Sequence, residues 1–346
     1  MKFIAKIFWN ENERRIRSLW RLVLQIVLFI IIMLVLQYAV LLVTALVGLI
    51  TDSITLEQLN VKEIKGVFRD FSLKHYDVPI LVHEFVSIVL AIWLAGRILD
   101  KRQFANFGLH LNRNWWIDFG FGLFLGGFLI SLVFLIELVA GWITITGVFV
   151  AEKPTTPFAI SILYPLVTLV LVGIQEELTS RGYQLTNIAE GLNWKRIGPR
   201  GAIIGAALLS SIIFGLLHAS NPHASAISTF SAFMGGIITA LGFILTGELA
   251  IPIGLHITWN FFQANVFGLP VSGMEFSWAT IFATEQSGPP LWVGDAFGPE
   301  SGLLAIGAVV FGCLLIALWV RWRYGRVGLH TSIAEAPERS VQKPPV

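Results

Sequence analysis

Long apolar runs separated by short basic connections set the pattern of this chain. Leu22–Ile50, Pro79–Leu99, Ile117–Ile143, Ile227–Leu245 and Leu303–Val320 are each long and apolar enough to cross a bilayer as a helix, which takes roughly 20 residues. Three further runs, from Phe158 to about Tyr183, from Ala202 to about His218 and over Ile251–Leu269, are also apolar but carry polar or charged residues inside. The pattern therefore predicts an all-α polytopic membrane bundle of about eight transmembrane helices. Between the first two spans, "LEQLNVKEIKGVFRDF" has the spacing of a short amphipathic helix.

Charge fixes an orientation. Lys2, Lys6, Arg14, Arg15, Arg17 and Arg21 precede the first span, and Arg97, Lys101, Arg102 and Arg113 follow the second. Arg181, Lys195, Arg196 and Arg200 follow the fourth, and Arg321, Arg323 and Arg326 follow the last. The connection Pro270–Ser301 holds Glu275, Glu285, Asp295 and Glu300 and no Lys or Arg, whereas Asp52–Asp77 is mixed and gives no vote. Positive charge collects on the cytoplasmic side. Both termini are thus expected there, in a multi-pass protein of a bacterial-type plasma membrane.

Composition agrees: 55% of the 346 residues are hydrophobic and 13% charged, with a mean hydropathy of +0.74. The net charge of +2 gives no reason to expect nucleic acid, and a single cysteine, Cys313, excludes an intrachain disulfide or a Cys-based zinc site. The basic amino terminus precedes an apolar run too long for a signal peptide, so it reads as a retained anchor. Trp9, Trp20, Trp115, Trp116 and Trp322 flank spans as interfacial anchors. Four regions result: 1–116 with two spans, a core over 117–270, the outer loop and last span over 271–330, and a tail over 331–346 expected to be disordered. The outer loop is too apolar for a free linker and reads as a partly packed cap.

The chemistry lies in the three unusual spans. In "LVGIQEELTSRGYQL", Glu176, Glu177 and Arg181 stand at membrane depth, where a charged side chain costs at least ~2.5–3.5 kcal/mol. Helical spacing makes Glu177 and Arg181 face-mates that can pair, which leaves Glu176 as the spare carboxylate. Phe214 and His218 share a face of the fifth span, as do His256 and Asn260 of the seventh; Asn260 can hold the His256 ring or aim its own amide at the same target. One carboxylate and two imidazoles suit either general acid–base hydrolysis or a His₂Glu metal site. Spacing puts Glu176 and His218 at comparable depth, and the "TGELAIP" turn before His256 must be sunk among the helices. That places the site partway into the membrane, opening to the cytoplasm. Weaker candidates are His83, Glu84, Glu137, His223 and Glu248. Gly173, Gly182, Gly235, Gly236, Gly242 and Gly254 read as close-approach positions between helices.

Glu176-Glu177-x-x-x-Arg181, Phe214-x-x-x-His218 and His256-x-x-x-Asn260, with "LTGELAIPIGLH" leading into the third, resemble the signature of the CPBP family, the CAAX-protease and bacteriocin-processing intramembrane proteases. The resemblance covers roughly Ile117–Leu269. It implies an endopeptidase that cuts near the carboxyl end of a membrane-tethered protein or peptide, with a prenylated CAAX protein as one such substrate. Glu176 would activate water with help from His218, and His256 and Asn260 would stabilise the oxyanion. The family carries a metalloprotease label, which makes Glu176, His218 and His256 candidate zinc ligands, yet a metal-free glutamate/histidine mechanism is also proposed for it. Two other classes use similar residues. A proton-coupled transporter places ionisable groups at membrane depth, and a non-proteolytic scaffold or immunity partner uses the same fold only to bind.

Overall fold

The computed structural model describes residues 7–337, apart from 12, 52–54, 56–59, 75–77, 154 and 277. Residues 2 and 6, the tail 338–346 and part of the 52–77 connection lie outside the described residues. The order is α1 (Ser18–Ile50), α2 (Val61–Lys74), α3 (Val78–Ala95), α4 (Arg113–Val139), β1 (Ile143–Ala151), α5 (Phe158–Leu192), α6 (Gly198–His218), α7 (Ala226–Thr246), α8 (Ala250–Phe261), β2 (Ala279–Gln286) and α9 (Leu303–Tyr324). The α2 helix is the amphipathic segment expected between the first two spans.

Seven of these helices are long and apolar enough to cross a membrane: α1, Ile80–Asp100 (α3 with its terminal π turn), α4, α5, α6, α7 and α9. The chain is an integral, multi-pass, all-α membrane protein. The eighth expected span is shorter than predicted, because α8 has 12 residues followed by a five-residue π turn, Phe262–Val266. Its start is sunk, as "TGELAIP" suggested. Gly247 closes α7 in the left-handed conformation at φ 73°, and the buried Leu249 donates its N–H to Gly108 O at 2.9 Å. A strand pair was not foreseen. β1 and β2 form an antiparallel ribbon from "ITITGVFVA" and "ATIFATEQ", β-branched and aromatic sequences that suit strands. The ribbon turns part of the outer loop into a packed cap, and the third span accordingly ends at Val139 instead of Ile143.

α4 and α8 cross at backbone contact. A Cβ on Gly254 would lie 2.5 Å from Phe119 O, and one on Gly126 would run into Leu255 O and Thr258 Oγ1. Thr258 Oγ1 donates to Leu123 O at 2.7 Å, pinning the crossing one residue before Trp259. Gly173, Gly236 and Gly242 also sit against neighbouring helices and Gly182 against Phe107 O and Leu249 in two connections, but Gly235 does not: no described atom lies within 4 Å of a Cβ built there, and the residue borders a cavity.

At the opposite end from the ribbon, arginines converge. Arg15, Arg21 and Arg102 reach Glu190 at 2.6, 2.7 and 2.7 Å, and Arg21 reaches Asp100 at 2.7 Å. Glu13, 2.6 Å from Arg15, brings the carboxylates to three against three arginines, and the network ties the first span to the ends of α3 and α5. The tail is more ordered than its composition suggested. Thr331–Ala334 forms a 3-10 turn that buries Ile333 and Ala334, Asn193 Nδ2 donates to Ala334 O at 2.9 Å, and Arg102 bonds the Glu335 carbonyl. Two apolar side chains and two backbone acceptors suffice to hold it, so the disorder predicted from Thr331 does not begin there.

Candidate active site

The site is built first on α5. Its α-helical turns end at Glu177 and a π-helical stretch follows, Leu178–Leu185. Insertions of this kind concentrate at functional sites, where they re-aim side chains. Arg181 still reaches back to Glu177, Nη1 to Oε1 at 3.2 Å, with both side chains fully buried. The guanidinium also donates to Ser180 Oγ at 2.5 Å and to Gly236 O at 3.2 Å, and lies 4.4 Å from the centroid of the Phe214 ring. The predicted pair is therefore present, and Phe214 is its aromatic lid as well as a neighbour of His218.

Glu177 does more than neutralise Arg181. The same Oε1 receives His256 Nδ1 at 2.8 Å. This corrects one expectation: the partner that holds the His256 ring is Glu177, from another helix, and not Asn260 one turn along its own. Asn260 lines the cavity, and its side chain makes no hydrogen bond to another described residue. A carboxylate only accepts, so Nδ1 carries a proton and Nε2 is turned toward Glu176, 3.9 Å from its Oε2. The spare carboxylate and the held imidazole thus face each other.

His218 closes α6 as its last residue. Its Nδ1 lies 2.8 Å from Phe214 O, and a carbonyl can only accept, so this nitrogen is protonated and Nε2 is left with the lone pair. Its ring lies tilted against Phe214, centroids 4.5 Å apart, and the Phe214 ring is 6.4 Å from that of His256. Phe214 therefore stands between both imidazoles and the arginine.

Glu176, Glu177, Phe214, His218, His256 and Asn260 all line one cavity of about 530 Å³. That volume holds a few residues of an extended peptide. The cavity runs from Gln184 on α5 to Asn221, Ser272, Phe297 and Glu300, in the connections at the end of the bundle away from the arginine cluster. His218 enters it from the far terminus of α6, which starts at the basic end.

Several lining residues were not foreseen. Asn221 Nδ2 donates to Ser272 O at 3.0 Å, which ties the end of α6 to the cap. Glu300 takes the Ser272 N–H and the Gln263 amide, while Gln263 accepts from Trp259 Nε1 at 3.0 Å. Burial pushes the Glu300 carboxyl up to about 7 from an ordinary 4.5, with these hydrogen bonds pulling the other way. Glu84, a weak candidate by sequence, also lines the cavity, but its neighbour His83 turns aside to Met33 O at 3.1 Å. Glu137 is bound by Gln286 Nε2 at 2.8 Å and Glu248 by His110 Nδ1 at 2.7 Å, both outside the cavity, and His223 is exposed. Adjacency in three dimensions was the missing signal for Gln263, Ser272 and Glu300.

The three candidate zinc ligands do not form a metal set. Each imidazole donates Nδ1 to Glu177 or to Phe214 O, as a metal-bound imidazole also would, but among the described residues no three His, Cys, Asp or Glu side chains are grouped at metal-binding spacing. The donor geometry does not fit a His₂Glu ion.

Residues 158–262, which carry all three motifs, match the family described as Rce1-like, type II CAAX prenyl endopeptidase Rce1-like. That stretch is similar to the CPBP family of intramembrane proteases, and the similarity supports a peptidase acting on proteins or peptides in the bilayer. Comparison with curated proteins and with solved structures gave no match.

Proposed function

We propose that the chain is a metal-free intramembrane endopeptidase in which Glu176 and His218 activate water and His256 and Asn260 receive the oxyanion. The observation that carries this reading is the pairing of Glu176 Oε2 with His256 Nε2 across 3.9 Å, with Glu177 fixing the imidazole from behind. A substrate carbonyl beside that gap has a base on one side and donors on the other.

The steps balance. Glu176, assisted by the His218 Nε2 lone pair, takes a proton from water as its oxygen bonds the carbonyl carbon. The negative charge that develops on the carbonyl oxygen is met by His256 Nε2–H, with the ring protonated on both nitrogens between two carboxylates, and by the Asn260 amide. The proton then passes from Glu176 to the leaving amine as the C–N bond breaks. Each oxyanion donor of this kind contributes about 10²–10³ in rate. Glu177 and Arg181 act through His256 and are positioning residues.

The family's printed name suggests a substrate cut near a prenylated carboxyl terminus. The apolar walls supplied by Leu81, Ile88, Leu169 and Val172 support a lipid-tethered peptide in the cavity. The test uses the full chain in proteoliposomes, with farnesylated and palmitoylated peptides of one sequence. Mass spectrometry should find new carboxyl termini with the wild type and none with Glu176→Gln. Equal cleavage by Glu176→Gln refutes the mechanism, and cleavage of only one lipid form assigns the tether.

A further inference from the structure

Four acidic side chains line the cavity: Glu84, Glu176, Glu177 and Glu300. Two are already committed. Glu177 is bound by Arg181 and His256, and Glu300 by Ser272 and Gln263. Glu84 differs. It is half-buried on α3, its side chain makes no hydrogen bond or ion pair to any described residue, and it lies within electrostatic reach of Glu176 and of its chain neighbour His83. Beside Glu176, Gln175 is 6% exposed, also lines the cavity, and has an amide oxygen with no donor. Glu176 Oε2 likewise has no hydrogen-bond donor.

Glu176 has the His256 ring facing it, with Nε2 3.9 Å from Oε2, so the acceptors of this stretch left without a partner are the Glu84 carboxylate and the Gln175 amide oxygen. Arg181 cannot serve them, because its guanidinium is engaged by Glu177, Ser180, Gly236 and the Phe214 ring. A carboxylate and a bare amide oxygen without partners at this depth are costly unless a donor arrives. A donor from the bound molecule would have to carry positive charge and several hydrogens, which describes an ammonium or guanidinium group.

We infer that Glu84 and Gln175 form a cation subsite of the cavity that takes a lysine or arginine side chain of the bound peptide, close to the bond that is cut. The last clause rests on the endopeptidase reading; the subsite itself does not. Glu84 lies four residues into the span Ile80–Asp100, about 6 Å from its end, so a basic side chain reaches it without crossing the bilayer.

The experiment separates the two. The full chain in zwitterionic nanodiscs is titrated with N-dodecanoyl-lysine amide and with its uncharged isostere N-dodecanoyl-norleucine amide, neither long enough to be an endopeptidase substrate. Binding is read from tryptophan fluorescence, since Trp259 lines the cavity. The lysine probe should bind about tenfold tighter, as a charge-assisted hydrogen bond supplies. Glu84→Gln should remove that preference, and Glu84→Lys should transfer it to N-dodecanoyl-glutamate amide, which also shows that the variant is folded. Equal binding of the two probes by wild type, or a preference that survives Glu84→Gln, overturns the subsite. In a tethered peptide library, wild-type cuts should cluster beside Lys or Arg, and Glu84→Gln should raise KM for those peptides about tenfold with kcat kept. Lysine-probe preference without any Glu176-dependent cleavage would keep the subsite and remove the endopeptidase.

Discussion

Replacing Glu177 tests whether one carboxylate serves two purposes. In Glu177→Ala, the fully buried Arg181 loses the one carboxylate within ion-pair distance among the described residues; its remaining close contacts are Ser180, Gly236 and the Phe214 ring. Breaking a buried ion pair from one side costs about 3–5 kcal/mol, a large share of the 5–15 kcal/mol typical of a folded protein. His256 loses its Nδ1 acceptor in the same step. The double variant Glu177→Gln/Arg181→Met removes both charges, and neutral replacement of a buried pair is often close to neutral for stability. Unfolding in mixed micelles by SDS titration should therefore show a loss of about 3–5 kcal/mol for Glu177→Ala and recovery of most of it in the double variant. Hydrolysis should not recover, because a glutamine presents an uncharged amide to His256 in place of the carboxylate. An active double variant would refute the reasoning, since it would mean that Glu177 matters only as a counter-ion.

Other consequences are equally direct. Gly126→Ala pushes a methyl into the backbone of α8 at Leu255; overpacking of this kind costs about 1–3 kcal/mol, and activity should fall with it as His256 shifts. Stripping the protein with a strong chelator should leave peptidase activity intact, whereas loss that zinc restores would contradict the donor geometry. Glu300 gives the cap a pH dependence. Its carboxyl holds a proton up to about 7 when packed but only to about 4.5 when released, so the packed cap binds more protons in that window. Protection of the 271–302 loop from protease should decline as pH rises from 4.5 to 7 and level off above, and Glu300→Gln should flatten the curve.

The features legible in the sequence were those set by local spacing. Apolar run length gave the seven long spans, and the four-residue period gave the Glu177–Arg181 and Phe214–His218 contacts. The contacts that assemble the site cross long distances along the chain. Nothing in "HITWN" says that His256 turns to Glu177 and away from Asn260, because two helices must first pack. The shortness of α8 follows from the buried turn at Leu249, whose partner Gly108 lies in a distant connection. Periodicity was also blind to the π stretch after Glu177 and to the β1–β2 ribbon, whose exposed Val148 and Phe149 look like one more apolar run.

The most direct measurement is the oxygen balance of cleavage. Wild-type protein and Glu176→Gln, matched in stability and reconstituted with a lipidated peptide in H₂¹⁸O, are compared by mass spectrometry. One ¹⁸O is expected in each new carboxyl terminus made by wild type, and no product from the variant. Labelled product in equal yield from both would show that water is activated somewhere other than at Glu176.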